Sequence, residues 1–170
     1  REPDRCRIVA VADPDPERRA MARKRHQLPA GAVFTGWEDF VRQPRMADAV
    51  IIATQDSMHT APAVACADAG YHILLEKPMA TTLEDCEKII AAVERNGVIF
   101  GLGFVLRYTP YFRKLRELIA SGAIGDLVTF RHLEQVSYWH QAHSFVRGNW
   151  RNSVESCPMI VAKCCHDMDI

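Results

Sequence analysis

Hydrophobic and polar positions along this chain fall into two kinds of run. Short, nearly continuous apolar stretches occur at Arg7 to Ala12 (RIVAVA), Val33 to Gly36, Ala49 to Thr54, His72 to Glu76 and Val98 to Leu102. Runs of that length closed by turn-forming or charged residues read as strands. Between them lie stretches of helical composition: Glu17 to Arg25, WEDFVRQ from Trp37, and Met58 to Ala69 before Gly70. A further helix is signalled where Thr81 and Glu84 have capping-box spacing and Cys86, Ile89, Ile90 and Val93 share one face before Asn96-Gly97. Strand, helix, strand at this spacing is a βαβ unit, which implies a parallel sheet with helices over both faces.

The pattern changes near residue 121. Tyr111 to Ala120 is amphipathic, with Phe112, Leu115, Leu118 and Ile119 apolar, and stops at Ser121-Gly122. Asp126 to Val136 then alternates apolar and polar residues, as an antiparallel strand with one wet face does. The expected fold is therefore α/β: a Rossmann-like, doubly wound parallel sheet over residues 1–120, followed over 121–170 by the start of an α+β domain with a mostly antiparallel sheet. One alternating strand cannot bury its face alone. The expectation is that this second domain, which stops inside a helical pattern at HDMDI, continues beyond residue 170.

Composition narrows the function classes. The chain has 170 residues, with 21 Lys+Arg against 21 Asp+Glu, and is 48% hydrophobic. A balanced charge argues against nucleic acid or an anionic membrane as the main partner. No apolar run approaches the roughly 20 residues that span a bilayer, and REPDRCRIV lacks the apolar core of a signal peptide, so a cytoplasmic location is expected. The six cysteines show no CxxC pairing and sit mostly in apolar segments, as reduced, buried small hydrophobes do. No GxSxG elbow, P-loop or HExxH is present.

The chemistry concentrates at Tyr71 to Met79. Ile73 to Leu75 end abruptly in Glu76, Lys77 and Pro78, which places a carboxylate and an amine at the carboxyl end of a strand. Ligands bind there in open α/β sheets. A lysine acting as a base needs its pKa lowered by roughly three units, about 4 kcal/mol; partial burial works in that direction and an ion pair with Glu76 against it. The Lys77-Pro78 bond is a candidate cis peptide in a tight turn. Asp13 ends the first strand and precedes a helix. It reads either as a turn or cap residue or as the carboxylate that receives an adenosine ribose, roughly 20 residues after a glycine-rich turn. No G-x-G-x-x-G occurs, so the first strand and phosphate-binding turn are expected to be missing. His140 and His143 share a face if helical but have no acidic or cysteine ligand beside them in sequence, and no metal is expected.

The run AVIIATQDSMHT from Ala49, followed by ACADAGYHILLEKPMATTLED, resembles the Gfo/Idh/MocA family of nicotinamide-dependent oxidoreductases, whose hallmark is Glu-Lys-Pro after a strand. The resemblance extends from Arg7 to Ile170. It implies that Lys77 contacts cofactor and substrate and handles the proton of a sugar hydroxyl, with Glu76 and Pro78 shaping the turn. It implies a second proton-handling residue in His166, although the family's Asp-x-x-x-His pattern has Ala162 in the aspartate position here. Thr54, Gln55 and His59 match the segment along the nicotinamide ribose, with Gln55 where proline is common and Asp56 where asparagine is. Arg107, Trp150 and Arg151 match residues near the nicotinamide and substrate.

The activity implied is hydride transfer between NAD or NADP and a sugar, cyclitol or related polyol. Asp13 favours NAD, while Arg18 and Arg19 keep NADP open. The family also leads us to expect a homo-oligomer formed through the second-domain sheet. The rival reading is a non-catalytic sensor or scaffold that binds nucleotide or sugar on the same fold.

Overall fold

The computed structural model describes residues 5–153 and 156–170. Its backbone contacts gather into two compact units that interleave in sequence. The first comprises the chain up to Ile52 with Thr60–Leu74 and Glu87–Gly101; the second comprises Ala53–His59, Leu75–Cys86 and Leu102–Ile170.

In the first unit, strand β1 (Val11–Ala12) pairs in parallel with β2 (Val33–Phe34), Val11 opposite Val33 and Ala12 opposite Phe34. Helix α1 (Pro16–His26) connects them. Its start is fixed by Asp15, whose carboxylate accepts the amide N–H groups of Glu17 and Arg18, and by Pro16, which has no N–H to satisfy. Basic residues from Arg23 to His26 complement its carboxyl end. Strand β1 is shorter than RIVAVA predicted, because Arg7 to Ala10 take no ladder hydrogen bonds.

A second sheet holds β3 (Ala49–Ile52), β4 (His72–Leu75) and β5 (Phe100–Leu102) in the order β3-β4-β5. The β4–β5 pairing rises together along both strands, from the Ile73 amide on the Ile99 carbonyl to the Gly103 amide on the Leu75 carbonyl. That ascent is the parallel register the βαβ pattern required. The crossovers are α3 (Thr60–Asp68) and α4 (Leu83–Asn96), and the core between them and the strands includes Ile52, Ile73, Leu75, Ala63, Cys66, Ala67, Ile89 and Ala92.

The expected cover on both faces is only half present among the described residues: Ile51 and Leu74 are 61% and 45% exposed while Ile52, Ile73 and Leu75 are buried. Alternate strand residues point to opposite faces, so helices packed on one side leave the other row open. Tyr71 seals the end of this core against Phe40, ring centroids 5.2 Å apart, with the Arg45 guanidinium over its ring.

Helix α2 (Trp37–Val41) carries Phe40, while α5 (Pro110–Ala120) in the second unit begins at a proline after Thr109. The alternation over Asp126 to Val136 predicted a strand, but the structure has none there, and residues 121–135 are exposed. A strand needs a partner to satisfy its backbone, and no described segment pairs with this one. Helix α6 (Tyr138–His140) runs into a π-helical turn over Gln141–Val146, and the chain ends in α7 (Met159–Ala162) and α8 (Cys165–Asp169). All six cysteines are free thiols. No helix among the described residues is long and apolar enough to cross a membrane.

The start of α4 lies one residue later than the capping box predicted. Thr82, not Thr81, accepts the N–H of a residue three further on, Asp85, at 3.2 Å. The TTLED sequence carries the same spacing in both registers, so only the helix start distinguishes them. Thr82→Ala is expected to lower stability by about 1 kcal/mol and Thr81→Ala by less, read from urea unfolding midpoints.

Candidate functional site

The carboxyl end of β3 opens into a turn, Thr54 to His59, that carries three of the sequence-predicted residues, Thr54, Gln55 and His59. Its Asp56–Met58 portion is a single 3₁₀ turn. The side chains of this turn face in two directions. Thr54 and Gln55 are exposed, and the Thr54 hydroxyl donates to the Met58 carbonyl at 3.2 Å. His59 is 0% exposed, with Nδ1 2.8 Å from the Pro78 carbonyl and Nε2 3.1 Å from the Thr54 carbonyl. His59 thus braces the turn from behind, with its ring between the Thr54 and Pro78 carbonyls.

Lys77 follows β4 directly, and the Lys77–Pro78 peptide is cis, as expected. Pro78 is buried, Glu76 exposed and Lys77 half-buried. The Lys77 ammonium donates to the Ala162 carbonyl at 2.6 Å, across 85 residues of sequence. Glu76 takes the Lys77 backbone N–H at 3.3 Å instead of the side chain. Gly103, which pairs with Leu75, lies so close that a Cβ there would stand 3.0 Å from the Glu76 carboxylate and 3.3 Å from its Cα. Glycine at 103 is thus what lets β5 lie against the Glu76 turn. Gly101 faces only ordinary contacts, the nearest 3.6 Å away on Leu74.

The last part of the chain converges on the same region. The Trp150 indole donates to Asp56 Oδ2 at 2.7 Å, and the buried Cys157 thiol lies 3.5 Å from the same oxygen. Burial, and then the Asp56 carboxylate, push the Cys157 thiol up to about 12, so it stays protonated. His166 packs edge-on against Phe104, and its Nδ1 is buried without a hydrogen-bond partner among the described residues. Burial, then the charges of Lys77 and Lys163, hold the His166 imidazole below its ordinary value. It is therefore neutral at pH 7 and carries a lone pair. Arg107 is a bidentate partner of Asp169, with Nε at 2.6 Å from Oδ2. Arg151 is exposed.

Two further residues belong to this network, Asp56, which the sequence presents as a substitution for asparagine, and Lys163. Lys163 donates to Glu134 at 2.8 Å, and His132 meets Asp167 at 3.0 Å. His132, Glu134 and Asp167 bring ligand atoms within 4.8 Å of one another. Lys163 already pairs with the Glu134 carboxylate, however, and the His132–Asp167 pair uses two of the ligand atoms. His140 and His143 line a separate cavity of about 440 Å³ with Ser137, Trp139 and Ser144.

Asp13 lies in the first unit. Its Oδ1 accepts the Asp15 N–H at 2.8 Å, the turn geometry expected of it, and its carbonyl accepts from Arg19 at 2.6 Å. Arg18 faces Asp15 at 3.7 Å. Asp15, not Asp13, is the helix cap.

Comparison with known proteins adds an independent line. The model of an oxidoreductase family with an NAD-binding Rossmann fold, Gfo/Idh/MocA, matches residues 1–104. The inositol 2-dehydrogenase of Rubrobacter xylanophilus is 32% identical over 166 residues, covering 96% of this chain and 43% of that protein. The 1,5-anhydro-D-fructose reductase of Ensifer adhaerens is 37% identical over 101 residues, covering 59% of this chain and 30% of that one. Among solved structures, the WlbA dehydrogenase of Bordetella pertussis in complex with NADH and UDP-GlcNAcA superposes with a TM-score of 0.65. It is 30% identical, over 72% of this chain and 36% of its own. The chain therefore spans less than half the length of these relatives.

Two outcomes follow from the geometry. Gly103→Ala forces the Glu76 backbone to move and is expected to cost about 1–3 kcal/mol, whereas Gly101→Ala changes the urea midpoint little. The second concerns pH. Because His166 is held neutral in the folded chain, the unfolded chain binds the extra proton as pH falls below about 6.5. The His166 contribution is complete above that value and is lost as pH drops toward the folded-state value. His166→Asn is expected to flatten this part of the stability profile, measured as the difference in urea midpoint between about pH 7.5 and pH 5.5.

Proposed function

The chain belongs to the Gfo/Idh/MocA oxidoreductase family, and on that premise we propose that it serves hydride transfer between NAD and a sugar, cyclitol or related polyol. The observation that carries this reading is the pairing of two complementary groups in the second unit. Lys77, half-buried at a strand end, is oriented by a carbonyl, and neutral His166 has an unpartnered nitrogen. An ammonium held by one neutral acceptor keeps its other N–H bonds for a substrate oxygen. A neutral imidazole can take the proton that a hydroxyl loses as it becomes a carbonyl.

In this reading Lys77 orients and polarises the hydroxyl and His166 accepts its proton. Ala162, which stands where the family pattern has aspartate, contributes its backbone carbonyl as the Lys77 partner. The bound nicotinamide supplies the hydride acceptor. Thr54 and Gln55, exposed on the turn after β3, are the residues we assign to the nicotinamide ribose, with Arg107, Trp150 and Arg151 toward the substrate side. Glu76 and Pro78 shape the Lys77 turn.

Asp13 is assigned to the adenosine ribose. Its carboxylate repels a 2′-phosphate, and the nearby arginines are engaged, Arg18 by Asp15 and Arg19 by the Asp13 carbonyl. NAD is therefore the preferred form. Residues 121–170 we assign to the start of a substrate and oligomerisation domain.

The non-catalytic reading keeps one observation in its favour, the absence of a carboxylate at position 162. A titration of NADH and NADPH followed by fluorescence, and a screen of polyols with NAD in the protein that carries this chain, separates the two. Binding of NADH about tenfold tighter than NADPH, lost in Asp13→Ala, supports the cofactor assignment. Polyol turnover that falls at least about 100-fold in Lys77→Met supports the catalytic one. Binding without turnover of any polyol, unchanged by Lys77→Met, selects the sensor or scaffold.

A further inference from the structure

We propose that Asp56 is a positioning residue for Lys77: it pins to the Thr54–His59 turn the chain segment whose Ala162 carbonyl orients the ammonium. The proposal rests on the functional reading above and extends it to a residue that touches neither reacting group.

Among the described residues, two polar or charged residues are buried as a whole, Asp56 at 8% exposure and His59 at 0%. Both stand on the same short turn, and each reaches out of it to a different segment. His59 meets the Pro78 carbonyl, one residue from Lys77. Asp56 takes the indole N–H of Trp150 and faces the thiol of Cys157 with a single oxygen, Oδ2. Pro158 follows Cys157 and precedes α7, whose last residue is Ala162. The donor and the acceptor of the Lys77–Ala162 bond are thus each tethered, by a short stretch of chain, to one turn.

The chemistry favours a carboxylate at this position. A buried carboxylate is retained only where donors replace its lost water, and here an N–H and an S–H converge on it. Both bonds span about a hundred residues of sequence, 94 to Trp150 and 101 to Cys157, so they define tertiary position rather than local turn shape. The raised Cys157 thiol keeps its proton and remains able to donate. Removing the acceptor leaves the indole N–H without a partner in a site that water reaches poorly. The expected relief is a shift of the Trp150–Cys157 segment, and with it of the Ala162 carbonyl.

The test uses three variants in the protein that carries this chain. Asp56→Leu removes the acceptor at similar size, Asp56→Asn keeps one acceptor oxygen, and Trp150→Phe removes only the donor. The first readout is reductive methylation of lysines with ¹³C-formaldehyde, resolved residue by residue, with exposed Lys24 and Lys114 as references. Lys77 is expected to label several-fold faster in Asp56→Leu and Trp150→Phe, with the references unchanged and Asp56→Asn close to the parent. The second is kinetics of polyol oxidation: kcat falls by roughly 100-fold with the KM for NAD unchanged.

Unchanged Lys77 labelling in Trp150→Phe, which keeps the ring and so the fold, overturns the proposal whatever the kinetics show. The same holds if all lysines accelerate together, which marks general loosening. Selective Lys77 labelling in a parent protein that oxidises no polyol leaves the positioning role standing and overturns the hydride-transfer reading instead.

Discussion

Two carbonyls, of Thr54 and Pro78, face the two nitrogens of one fully buried imidazole. Backbone acceptors at the ends of parallel strands must find donors, because the ladder that served them has stopped and burial excludes water. His59 lies between them, one ring nitrogen at the point where the chain leaves β3 and the other at the turn that leaves β4, and the N–H of either tautomer serves one of the two carbonyls. The two strand ends are therefore held in one register, and the amine of Lys77 emerges from a support that cannot slide. The half-burial of Lys77, the close approach of Gly103 to Glu76 and the position of the Asp56 carboxylate all take their place from this turn.

Electrostatics in the second unit follows from the same crowding. Burial of His166 comes first, and the positive charges of Lys77 and Lys163 add to it, so the imidazole loses its proton more readily than in water. Three carboxylates are engaged: Asp169 by Arg107, Glu134 by Lys163, and Asp56 by an indole and a thiol. Two buried atoms are left without a hydrogen-bond partner among the described residues, Nδ1 of His166 and Oδ2 of the neighbouring Asp167.

The open row of Ile51 and Leu74 and the unpaired stretch 126–136 have a common cause. In each case the sequence pattern specifies a face that must be covered or an edge that must be paired, and no described residue does so. Apolar runs at β3 and β4 carry the period of a strand buried on both sides whether or not both sides are packed. The alternation at 126–136 likewise describes which side chains would share a face, without supplying the neighbour whose hydrogen bonds would make it a strand. Such segments show how far local pattern reaches before it depends on another part of the chain.

By itself the sequence determined whatever depends on neighbours a few residues apart. The βαβ alternation, Gly70 and Gly97 after their helices, the proline start of α1 and the strand-end placement of Lys77 are all local, and steric and hydrogen-bonding rules read them directly. The capping register of α4 was ambiguous by one residue because two threonines offer the same spacing. The tertiary structure alone decided which polar side chains are exposed and which hold the frame. His59 and Thr54 are five residues apart and equally polar in the sequence; burial separates them completely. The partners of Lys77, Trp150 and Cys157 lie some 85 to 101 residues away. No periodicity encodes such pairs, because they exist only once the core has brought distant segments within hydrogen-bonding reach.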